Sequence, residues 1–77
     1  MIGNPYMKEL VIASIEDVRT ALAFISTIAT DDEAAHAAED AMRSKVLELV
    51  ASGHPEAIAL AKLALRSSAI KFGRWCA

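Results

Sequence analysis

Apolar residues recur along this chain at spacings of three and four, the period of a helix that buries one face. In the first such stretch Ile15, Val18, Leu22, Ile25 and Ala29 form a bundle-like seam, and Ala21, Phe24 and Ile28 widen it on both sides, so more than one neighbour is expected against it. Ser14, ahead of Glu16 and Asp17, supplies an N-cap with acids in the first turn, where they satisfy free N–H groups and oppose the helix dipole. A first helix is therefore predicted over 14–29. Thr30-Asp31-Asp32-Glu33 reads as a capping box, the threonine hydroxyl and the glutamate carboxylate each satisfying a backbone donor. It predicts a second helix over 31–52 with a core stripe of Ala35, Ala38, Met42, Val46 and Leu49, closed by Gly53 in the left-handed conformation. His54-Pro55-Glu56, with proline at the first helical position, opens a third helix expected over 55–68. Its inward face is predicted to be Ala57, Ile58, Ala61, Ala64 and Leu65, leaving Leu63 and Ala59 on the opposite side. Residues 1–13, with Gly3 and Asn4-Pro5, read as an N-terminal arm or a short helix, and residues 69–77 as a tail. Ile70, Phe72 and Trp75 are expected to fold that tail back on the helices or to dock it on a partner.

The pattern defines an all-α fold, a small bundle of three helices in a single domain. Composition agrees: 55% of residues are hydrophobic, most of them Ala, Leu and Ile rather than aromatics. A chain of 77 residues buries only about 60–65% of the surface it exposes unfolded, so a staple of some kind is expected. Cys76 is the single cysteine and cannot form an intrachain disulfide, which leaves a metal or self-association, and self-association is the expectation. The longest apolar runs, Leu10 to Ala13 and Ala21 to Ile25, fall far short of the roughly 20 residues of a membrane span. Acids flank the first run too closely for a secretory signal, and Cys76 is not placed for prenylation. A cytoplasmic protein with no membrane partner is expected.

A net charge of −2 argues against a strongly polyanion-seeking chain, but the charges are segregated. Asp31, Asp32, Glu33, Glu39 and Asp40 form an acidic block without a cation, whereas beyond Glu56 the charges are Lys62, Arg66, Lys71 and Arg74. Complementary charge predicts that the basic end pairs with the acidic start of the second helix, in the same chain or in a neighbour. Glu33, His36, Glu39 and Asp40 have metal-ligand spacing on one helix face, and the E-x-x-H step occurs in carboxylate-bridged bundles. The other helices lack the further carboxylates, so a complete site needs a second chain. The favoured reading is a solvated acidic first turn with His36 paired to Asp40, and no cofactor is expected. Glu39, at the margin of the apolar stripe with Arg43 one turn on, reads as a surface brace worth a few tenths of a kcal/mol. Lys62, Arg66, Lys71, Arg74 and Trp75 are too few to make a nucleic-acid surface, and the third helix lacks the Asn, Gln and Arg row that reads base edges. Nucleophile-elbow and phosphate-loop motifs are absent, Cys76 is poorly placed for catalysis, and Ser14 and His54 read as caps.

The stretch Asp32-Glu33-Ala34-Ala35-His36-Ala37-Ala38-Glu39-Asp40-Ala41-Met42, with the ending Phe72-Gly73-Arg74-Trp75-Cys76-Ala77, resembles short helical proteins of unassigned function encoded in bacterial and prophage genomes. The resemblance spans about the C-terminal two-thirds of the chain. It brings no activity with it and implies that His36, Glu39, Asp40, Arg74 and Trp75 are the positions to test first. Leu47, Leu63, Phe24 and Trp75 are apolar residues expected to remain after a three-helix core is filled, which motivates a homodimer. The function this favours is non-enzymatic: an interaction module that binds itself and an unidentified protein, as a phage-type accessory protein modulating a host protein. The alternative is a metal-binding protein or metal-dependent enzyme, with a subunit-interface site around Glu33, His36, Glu39 and Asp40.

Overall fold

Ser14 starts the first helix as expected. Its Oγ accepts the Asp17 N–H at 3.4 Å, while Asp17 Oδ2 accepts the Ala13 N–H at 2.8 Å, so cap and acid satisfy donors reciprocally. The computed structural model describes residues 11–74, and among these the elements are α1 (Ile15–Thr27), α2 (Asp32–Ala51), α3 (Ala57–Ala64) and a 3₁₀ segment (Leu65–Ala69), with no strand. Most of the N-terminal arm, together with Trp75 and Cys76, lies outside the described residues.

The cap of α2 differs from the expectation by one residue. Asp31, not Thr30, is the N-cap, and its Oδ1 accepts the Ala34 N–H at 3.0 Å. The connection from α1 is tight, with the Asp31 N–H donating to Ile28 O at 3.0 Å, and aspartate is a better cap than threonine. The residue at the third helical position is then Ala34, which has no carboxylate to reciprocate, so the Thr30–Glu33 box does not form. At the other end Gly53 takes φ +83°. Its N–H donates to Val50 O and the His54 N–H to Leu49 O, both at 3.1 Å, the paired bonds of a Schellman motif. A Cβ at Gly53 would touch nothing within 4 Å, so Gly53→Ala is a test of backbone strain alone. We expect it to destabilise by about 1 kcal/mol and to lower the melting temperature by about 4–8 °C. An unchanged melt followed by circular dichroism would contradict the left-handed assignment.

The three helices pack pairwise around Val18, Ala21 and Ile25 of α1, Ala35, Ala38, Met42 and Val46 of α2, and Leu60 and Ala64 of α3, with Ile12 closing one end. The α1 and α2 faces are those the spacing predicts, and alanines in the first half of α2 permit close approach. The α3 face is not. Leu60 is fully buried, whereas Ile58 and Leu65, expected inside, are 74% and 63% exposed. Leu63, expected on the free side, packs partly buried against the core, as does Phe24. Leu47 is exposed as expected.

The third helix is also shorter than predicted. His54 Nδ1 accepts the Glu56 N–H at 2.9 Å, making Pro55-Glu56 a turn ahead of α3. From Leu65 the backbone tightens to 3₁₀ through the weak helix formers Ser67 and Ser68, then becomes extended at Ile70. Residues 70–74 fold back over the bundle, as one of the two expectations for the tail had it, with Ile70 and Phe72 against the core.

Candidate functional site

The returning tail covers Glu39. This carboxylate, expected at the surface, has only 2% of its side chain exposed. Arg74 grips it bidentately, Nε to Oε1 and Nη2 to Oε2, both at 3.1 Å. Arg43 approaches Oε2 at 3.5 Å, so the anticipated pair exists, but as the weaker half of a buried cluster rather than a surface brace. The Arg74 guanidinium also donates to Ser67 O at 2.7 Å and Ile70 O at 3.0 Å, and sits 3.8 Å from the centre of the Phe72 ring. Arg43 donates from Nε and Nη2 to Ser67 Oγ at 3.1 and 2.8 Å, and from Nη2 to Ser68 Oγ at 3.0 Å. Gly73 N–H donates to Asp32 Oδ1 at 2.9 Å, so the tail is pinned at two points along α2. Of the basic end, Arg74 therefore meets the acidic block within one chain, at Glu39.

Burial pushes the Glu39 carboxyl up, yet the Arg74 and Ser67 hydrogen bonds and the charges of Arg43 and Arg74 together outweigh it, leaving its pKa below the ordinary carboxylate value. The cluster thus favours an ionised Glu39, and every buried side-chain polar atom among the described residues has a partner. A carboxylate held this way is structural rather than available to a ligand.

The structure separates the residues singled out in the sequence. Glu39 and Arg74 come together. His36 lies along α2 with Nε2 3.6 Å from Asp40 Oδ2, Asp40 being well exposed, and Glu33 is exposed on the first turn. With Glu39 turned inward, Glu33, His36, Glu39 and Asp40 do not converge, and among the described residues no group of three or more His, Cys, Asp or Glu could hold a metal ion. Leu63 lines a shallow groove of about 320 Å³ with Ile15, Arg19, Ala59, Lys62 and Arg66. Trp75 lies outside the described residues.

The surface that sequence reasoning missed is the outward face of α3. Ile58 and Leu65, seven residues apart, share it with Lys62, and beside it His54, Pro55, Glu56 and Ala57 help line an open hollow of about 590 Å³ that reaches Ile58 and Lys62. The signal was in the composition. Lys62 is the only polar residue of α3, and a helix apolar all round cannot bury both faces in a three-helix core. No described helix is long and apolar enough to cross a membrane. Comparison of the chain with known protein families, with curated proteins and with solved structures yields no match.

Proposed function

We propose that this protein is a cytoplasmic, non-enzymatic helical interaction module, a phage-type accessory protein that assembles with itself and modulates a host protein, with the outward face of α3 as a contact surface. The observation carrying this reading is the exposure, 74% and 63%, of Ile58 on α3 and of Leu65 at its C-cap, seven residues on along the same side. Single exposed aliphatics need no explanation, but two aligned on one face beside a hollow offer a contact surface. Covering each is worth about 1.5–3 kcal/mol. The buried Glu39–Arg74 pair supports the same reading from the other side, because it takes Glu39 out of the acidic cluster and into the scaffold.

The test is a photo-crosslinking side chain placed at Leu65 in the intact protein, with Thr20, exposed on α1, as the comparison position. Covalent protein adducts are expected at Leu65, and Ile58→Asp should remove them without lowering the melting temperature. Adducts equally abundant at both positions, or absent from Leu65, would overturn the reading.

A further inference from the structure

We infer that the occupant of this face is a second copy of the chain, packed α3 against α3 in antiparallel orientation about a twofold axis, with Glu56 of each copy meeting Arg66 of the other. The inference rests on the interaction-module reading and names its partner. Ile58 and Leu65 lie equally far on either side of Ala61 and Lys62. A twofold axis through that midpoint sets each Ile58 opposite Leu65 of the second copy, which then enters the hollow beside Ile58.

Charge selects this partner and this orientation. Glu56 precedes the apolar stripe and Arg66 follows it, both exposed, and among the described residues neither side chain has an ion-pair partner. Within one chain Glu56 lies in the turn ahead of α3 and Arg66 in the 3₁₀ segment beyond it; the eight residues of α3 alone put about 12 Å of helix axis between them, too far to pair. An acid at one end and a base at the other make the stripe complementary to its own reversed copy, whereas parallel packing would set like charges together. Ala59 and Ala61 flank Lys62 and let the two backbones approach. The Lys62 stems run along the contact and carry their ammonium groups to its rim.

Sedimentation equilibrium of the full chain over about a hundredfold range of concentration reads the association directly. Glu56→Arg or Arg66→Glu alone should each weaken the dimer about tenfold, and the two combined in one chain should restore it. Restoration cannot arise within a monomer, given the separation of the two residues. As a check independent of charge, Ala61→Cys in a Cys76→Ala background should form a disulfide with itself across the axis, and Ser44→Cys, exposed on α2, should not. A dimer indifferent to both reversals, or one that the double variant fails to restore, would overturn the register. A chain that stays monomeric throughout would overturn the second copy as occupant; adducts to a different protein at Leu65 would then still uphold the interaction-module reading, and their absence would remove that as well.

Discussion

Glu39→Ala should cost about 3–5 kcal/mol, a large share of the about 4–12 kcal/mol that stabilises a domain of this size. The effect comes from what is left behind. Without the carboxylate, Arg74 and Arg43 remain as two like charges facing the same buried space, held there by their bonds to Ser67, Ser68 and the Ile70 carbonyl. Removing one partner of a buried pair costs far more than the intact pair contributes. Arg74→Ala alone leaves Glu39 with Arg43 3.5 Å away, and because 30% of the Arg74 side chain is exposed solvent can reach the vacated space, so the loss should be smaller. Chemical denaturation of the two single variants and the double should give a coupling energy with the double less damaged than the sum of the singles. Additive losses would mean that the fork seen between Glu39 and Arg74 contributes nothing.

The same cluster sets a pH dependence. Glu39 has a lower pKa folded than the ordinary carboxylate value, so the unfolded chain binds the proton more readily. Its contribution is complete above the unfolded value, about 4.3, and is lost as pH falls through the lower folded value. Glu39→Gln should flatten that part of the acid limb. A wild-type acid limb unaltered by Glu39→Gln would assign the dependence to other carboxylates.

What could be read from the sequence divides along physical lines. The α1 and α2 faces were legible because their apolar residues alternate with polar ones, so the period has a contrast to reveal it. Gly53 was legible because the left-handed region admits few other residues. The α3 face was not, since Ala57 to Leu65 offers only Lys62 as contrast and an apolar residue at almost every step leaves the inward direction undefined. Glu39 was misplaced for a different reason. Its neighbour at the fourth position, Arg43, explains it locally, but its strongest partner lies 35 residues away and is delivered by a tail whose path depends on where the 3₁₀ segment ends. Segregation of charge announced that the two ends would meet, without saying which acid would be buried.

Leu60→Ala should destabilise the protein by about 3 kcal/mol, while Ile58→Ala and Leu65→Ala should each change stability by less than about 0.5 kcal/mol, measured under conditions where the chain is monomeric. Leu60 is fully buried among residues of all three helices, and truncating it removes its transfer energy and leaves a space that rigid helix backbones close only in part. Ile58 on α3 and Leu65 at its C-cap are the same class of side chain, but they remain largely in water when the monomer folds, so alanine removes little. The ranking is therefore a direct reading of which way α3 faces. If the order reverses, Ile58 and Leu65 are core residues and this face offers a partner no apolar surface. If it holds, the same two truncations should leave the fold intact and weaken association, which separates the residues that build the bundle from those that equip it to bind.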